Sequence, residues 1–345
     1  MEISRITTVL ALLVVTFSPG RAGAATVKVV GTLPVYAAIA QEVGGDRVTV
    51  ASIAEPAQDA HFVKPKPSLA LMLRDADLFV TTGLDLELWA PVLVDKSGNR
   101  AIRDGARGYV NASQGVPLLD IPASASREAG DVHVFGNPHL HTSPLNAKIV
   151  AGNIAAGLER VDPAGQELYR RNLADFRHRI DVALYGEELV ELLGAERLDA
   201  LARSGRLIAF LGQQELEGAP LTSRLGGWLG RGLAFRGQEI VAYHKNWIYF
   251  TDLFGLEIAA YVEPKPGIPP SARHVHDLIR LIQERKIPVI LAASYFDPDK
   301  PRQIAERTGA QALVVSLQPG AEAKGYFDLV DLWVDGLARA FEGRG

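Results

Sequence analysis

The feature that most constrains this chain is an alternation that begins at Thr26, where short β-branched runs take turns with amphipathic stretches of helical spacing. "VKVV" at 27–30, "VTVASI" at 48–53 and "LFVTT" at 78–82 read as strands. The intervening segments are closed by Gly44-Gly45 or opened after Pro67, as helices are. Strand and helix in turn predict an α/β fold, with a mainly parallel sheet wrapped by helices on both faces. The same alternation returns late in the chain. "QEIVAY" reads as a strand, 246–253 as a helix, "IAAYV" as a strand, and 272–286 as a helix. A strand at 288–292, a helix at 301–308, a strand at 312–316 and a helix at 326–341 complete it.

Between the two alternating regions, Asp162-Pro163 offers an N-cap followed by a proline at the first helical position. Leu168, Leu173, Phe176, Ile180 and Leu184 then recur with charged residues between them, which predicts one amphipathic rod. At 345 residues the chain exceeds the roughly 250–300 at which single cores stop growing. The expected organisation is therefore two α/β lobes joined by one long linker helix: an N-terminal lobe over 25–161, the linker over 162–193 and a C-terminal lobe over 194–345.

The first 24 residues have a different character. Arg5 precedes about a dozen apolar residues, too few for the roughly 18–20 of a membrane span, and a Ser-Pro-Gly break leads to Ala22-Gly23-Ala24. This pattern predicts a cleaved export signal. The chain has no cysteine, so neither a disulfide nor a thioether-linked lipid is available to it, and a free protein of the periplasm is expected. A formal net charge of -4 gives no basic surplus for phosphate backbones, which argues against nucleic acid as a partner. The glycine-rich stretch at 217–237 lacks the ending of a phosphate loop and reads as a mobile surface loop.

In open parallel sheets ligands bind beyond the carboxyl ends of strands, and this rule sorts the eight histidines. His61 follows the strand at 48–53, His139 and His141 lie in "FGNPHLHTSP" before a helix, and His244 ends the strand "QEIVAY". His178 falls on the rod, and His274 and His276 fall at a helix start, where a lone histidine usually has no special role. His133, in the loop "GDVHVFG", receives no assignment. Imidazoles converging from separate strand ends would form a nitrogen-rich site suited to zinc, with Asp59 placed to accept from the second ring nitrogen of His61.

These fragments together resemble the zinc/manganese solute-binding proteins of ABC transporters, the cluster A-I family. The resemblance rests on Asp59-Ala60-His61 after the second strand, Pro138-His139 before a helix start, and His244 ahead of Trp247, Tyr249, Phe250 and Gly255-Leu256. It also rests on Asp162-Pro163 with Tyr169 and Asn172 at the connecting helix. It implies that His61, His139 and His244 are metal ligands, with zinc favoured over manganese because the third position is an imidazole rather than a carboxylate. The pattern departs at the last strand-to-helix loop, where "VVSLQPG" offers Ser316 in place of the family's aspartate. A fourth position is then left to water, to His141, or to a cleft carboxylate such as Asp297.

The implied function is capture of Zn2+ between the lobes and delivery to an ABC-type membrane permease with its cytoplasmic ATPase. A periplasmic zinc chaperone is a further conceivable partner, and a monomer is expected. Loops at 122–137 and 217–237 are candidates for the motion that releases the ion. The competing reading is a secreted zinc-dependent hydrolase with a three-histidine site and an activated water, for which Glu215 and Glu263 are unassigned carboxylates.

Overall fold

The computed structural model describes residues 26–122 and 133–342, so the export segment at 1–24 and much of the loop at 122–137 lie outside the described residues. In the N-terminal region, β1 (Val27–Gly31), α1 (Pro34–Gly44), β2 (Val48–Ser52), α2 (Pro67–Arg74), β3 (Leu78–Thr81), α3 (Ala90–Ser97) and β4 (Tyr109–Asn111) precede α4 (Pro144–Val161). The four strands form one parallel sheet in the order β2-β1-β3-β4. β3 is buried at every residue, as the uninterrupted "LFVT" requires of a strand covered on both faces.

After the centre of the chain come α5 (Gln166–Tyr185), α6 (Glu187–Leu193), α7 (Ala195–Arg203) and α8 (Leu207–Gln213). A small antiparallel hairpin of β5 (Glu215–Leu216) and β6 (Ala219–Pro220) follows, then α9 (Gly227–Gly232). The second sheet is built from β7 (Glu239–Ala242), β8 (Glu257–Tyr261), β9 (Val289–Ala293) and β10 (Gln311–Val315), separated by α10 (Ile248–Phe254), α11 (Ala272–Arg285) and α12 (Asp299–Thr308) and closed by α13 (Tyr326–Glu342). Its strands are again all parallel, in the order β10-β9-β7-β8. The α/β expectation holds in both halves. Strand order reverses between β1 and β3 in one sheet and between β7 and β9 in the other, so each lobe opens a crevice at its carboxyl edge. No helix among the described residues is long and apolar enough to cross a membrane.

The linker differs from the uninterrupted rod expected over 162–193. A 3-10 turn at Pro163–Gly165 comes first, and α5 ends at Tyr185 because Gly186 adopts a φ of 86°. Asp162 does stand before that turn, and its carboxylate accepts from Arg47 Nε at 2.8 Å and from the Tyr169 hydroxyl at 2.6 Å, fastening the linker to the N-terminal lobe. On the other side Phe176 of α5 meets Tyr326 and Phe327 of the last helix at ring distances of 6.3 and 5.6 Å. Lys148 of α4 ties Asp181 of α5 and, at 2.6 Å, Asp199 of α7.

The stretch at 217–237 is not the irregular surface loop that its glycines suggested. It contains β6, a 3-10 turn at Leu221–Arg224 and α9, and it buries Trp228, Leu229 and Phe235 against α5 and α13. Gly227 sits at φ +60°, where a Cβ would collide with the Ala183 carbonyl. The glycines here permit close packing against α5 rather than freedom in solvent.

Candidate metal centre

His244 and Glu263 extend the carboxyl ends of strands and His61 follows β2 on a short turn, whereas His139 lies on the segment that leads into α4. His244 lies two residues beyond β7, and Glu263 lies two beyond β8, which runs parallel to β7 with Ala242 opposite Tyr261. The ladder continues through Glu263 N–H to Tyr243 carbonyl at 3.0 Å. This register brings the Glu263 carboxylate to His244 Nδ1 at 2.8 Å. His61 lies on the 3-10 turn Ala60–Phe62 after β2, whose N-cap Asp59 accepts from the His61 backbone N–H at 3.0 Å and faces His61 Nδ1 at 2.6 Å. The indole of Trp89 donates to the Ala60 carbonyl at 2.7 Å and fixes the turn from behind. His139 opens the 3-10 turn Leu140–Thr142, ahead of α4, with its backbone N–H on the Asn137 side chain at 2.9 Å.

The rings of His61, His139 and His244 converge. The centroids of His61 lie 5.4 Å from those of His139 and 5.6 Å from those of His244, and the last two are 5.6 Å apart. Because carboxylates stand against Nδ1 of His61 and of His244, Nδ1 is assigned the proton, and Nε2 is left as the electron-pair donor, the state a metal requires. Nε2 of His139 is buried and has no hydrogen-bond partner among the described residues, an arrangement that is costly unless an ion or a water occupies that side. Burial, and after it the neighbouring imidazoles of His61, His244 and His133, hold the His139 ring well below the ordinary histidine range, so it stays neutral. Burial alone would raise the Asp59 carboxyl. Its hydrogen bond and charge interaction with His61 outweigh that and leave it below its ordinary value.

The other histidines fall elsewhere. His141 is buried but faces Gln318, at 3.4 Å from Nε2, and its backbone carbonyl accepts from the Tyr326 hydroxyl at 2.9 Å. Its ring acts electrostatically on that of His139. Burial pushes its ring down to about 4. His178 is exposed on α5, His274 bonds the Tyr261 carbonyl at 3.0 Å, and His276 is exposed beside Asp277. Asp297 accepts from the Asp299 backbone at the start of α12, and Ser316 bonds the Gln318 carbonyl.

Two members of the centre escaped the sequence reading. Glu263 had a signal, since "VAYH" and "AYVE" are adjacent parallel strand ends in the same register. His133 had none beyond its residue type, yet its Nε2 lies 3.0 Å from His61 Nε2, and ring nitrogens of His61, His133 and His139 all lie within 4.8 Å of one another. The cavity beside the cluster, lined by Asp59, His61, Phe62, His244, Glu263 and Phe296, measures about 120 Å³. That is below the roughly 300 Å³ at which pockets for organic ligands begin, and it suits a bare ion better than a hydrolase substrate.

Comparison with known proteins gives the family and the fold. The family model "Zinc-uptake complex component A periplasmic" (ZnuA) matches residues 29–184 and 224–340. The iron-binding protein YfeA of Yersinia pestis is 29% identical over 323 residues, covering 91% of this chain and 86% of its own length. A manganese ABC transporter substrate-binding lipoprotein, PsaA of Streptococcus anginosus, is 23% identical over 316 residues, covering 90% and 88%. A crystal structure of ZnuA superposes with a TM-score of 0.65 at 20% identity, covering 91% of this chain and 99% of that one. The Mn-bound periplasmic metal-binding protein from Candidatus Liberibacter asiaticus gives 0.63 at 19%, covering 92% and 100%. With two parallel sheets, a connecting helix and a match over most of its length, the chain belongs to the ZnuA family of periplasmic metal-binding components of ABC transporters, which are transport proteins and not enzymes.

Proposed function

We propose that the protein captures Zn2+ in the cleft between its lobes and hands it to an ABC-type permease driven by a cytoplasmic ATPase, with His61, His139 and His244 as ligands. The observation that carries this reading is the convergence of three imidazoles from three separate segments, with a carboxylate behind two of them. The carboxylates orient rings instead of facing the ion. A first shell of imidazoles suits zinc, whereas manganese is better served by carboxylate oxygens. The relatives named for iron and manganese make this a choice within the family, and the donor set is what favours zinc here.

The export pattern of the first 24 residues supports a periplasmic location. A soluble zinc chaperone would be a source of the ion. The test is titration of the purified mature chain with Zn2+ and Mn2+. One equivalent of zinc bound more tightly than manganese is expected, and a manganese preference would contradict the assignment.

A further inference from the structure

We propose that His133 is a fourth ligand, so that the ion is held by four imidazoles; this rests on the three-histidine reading above. A tetrahedral zinc centre needs a fourth donor or a water. The carboxylates nearest the cluster are committed, Asp59 to His61 and Glu263 to His244. Asp297 accepts from the Asp299 backbone, Ser316 bonds the Gln318 carbonyl, and His141 faces Gln318. Among the described residues, His133 offers a further ring nitrogen within reach of His61 and His139. Its Nε2 stands 3.0 Å from His61 Nε2, a few tenths short of the about 3.3 Å that separates two nitrogens on one tetrahedral zinc with Zn–N bonds of about 2.0–2.1 Å. The rings of His133 and His139 are edge to face at 6.4 Å, so His133 approaches the side of the trio that faces its loop.

The segment behind His133 is anchored at the same place. Gly136 N–H bonds the His133 carbonyl, and Asn137 N–H bonds the Leu119 carbonyl at 2.9 Å. The Asn137 side chain donates to the Lys245 carbonyl at 2.8 Å, one residue past His244, and Tyr249 donates to the Asn137 carbonyl at 2.8 Å. Lys245 also pairs with Asp120 at 2.9 Å. The segment that follows His133 is thus tied to the strand end that carries His244.

Zinc K-edge absorption and chelator competition on the purified mature chain test this. The intact protein should show four imidazole nitrogens around zinc. His133→Ala should show three imidazoles plus one oxygen donor without imidazole scattering and bind zinc roughly 10- to 100-fold more weakly, a loss like that of an orienting partner. His133→Asp should recover much of the zinc affinity and narrow the margin over Mn2+, since a carboxylate suits manganese. An unchanged imidazole count and affinity in His133→Ala, with His61→Ala still strongly impaired, would overturn the fourth-ligand assignment and leave the three-histidine centre standing. Unchanged binding in His61→Ala, His139→Ala and His244→Ala would instead remove the centre itself.

Discussion

The two lobes share one plan, a four-stranded parallel sheet with a reversed strand order, yet they present their imidazoles in different ways. In the C-terminal lobe His244 and its carboxylate Glu263 extend two neighbouring strands, so the backbone ladder sets both positions. In the N-terminal lobe His61 and His139 ride on 3-10 turns closed by single backbone bonds, Phe62 N–H to the Asp59 carbonyl and Thr142 N–H to the His139 carbonyl, and pinned by side chains through Asp59, Trp89 and Asn137. A ligand on a sheet is positioned by many cooperative bonds, whereas a ligand on a turn depends on a few identifiable ones. The N-terminal wall of the centre should therefore be the more sensitive to changes in its supporting residues.

The largest effects test the premise that the walls share one ion. His61→Ala and His244→Ala should each weaken zinc binding by at least the roughly 100-fold at the upper end of outer-partner losses, while His178→Ala on α5 leaves it unchanged. Chelator competition measures this, and equal losses in all three would end the comparison. Next come the orienting carboxylates, for which losses of roughly 10- to 100-fold are ordinary. Asp59→Ala should cost more than Glu263→Ala, because Asp59 also accepts from the backbone of the turn it caps. Equal losses would show that the turn needs no such support.

Acid should act on the same N-terminal turn. His141 has its ring pushed down to about 4 by burial, whereas an unfolded chain titrates histidine near 6.5. Between those values the unfolded state binds the proton and the folded state does not. Stability from this group is therefore complete above about pH 6.5, falls as pH drops toward 4, and is lost below that. Denaturant unfolding of the metal-free protein at pH 7.5 and pH 5 should show His141→Asn losing about 2 kcal/mol less than the parent over that interval. An identical loss in both would place the acid sensitivity elsewhere. The smallest effect expected is from Trp89→Phe, which removes one hydrogen bond to the His61 turn. It should weaken zinc binding only several-fold, in keeping with about 1 kcal/mol for such a bond.

Much of the architecture was legible along the chain because local patterns carry it. The runs at 27–30 and 78–82 could be read as strands since their β-branched and aromatic residues suit a sheet buried on both faces. The stretch at 217–237 misled because glycine signals either a mobile loop or tight packing, and only the neighbouring α5 shows which applies. The linker misled in a related way. Apolar spacing continues past Tyr185, but a single glycine at positive φ turns the chain there.

For the centre, the sequence by itself determined that His61 and His244 follow strands, because topology forces the carboxyl edges of parallel strands to line one crevice. It also determined that Asp59 could serve His61, since two residues within one turn must be neighbours. Tertiary structure alone decided that Glu263 serves His244, that His141 turns toward Gln318, and that His133 reaches His61 from 72 positions away. Those pairings depend on sheet register and on loop paths in space, and separation along the chain carries no information about either.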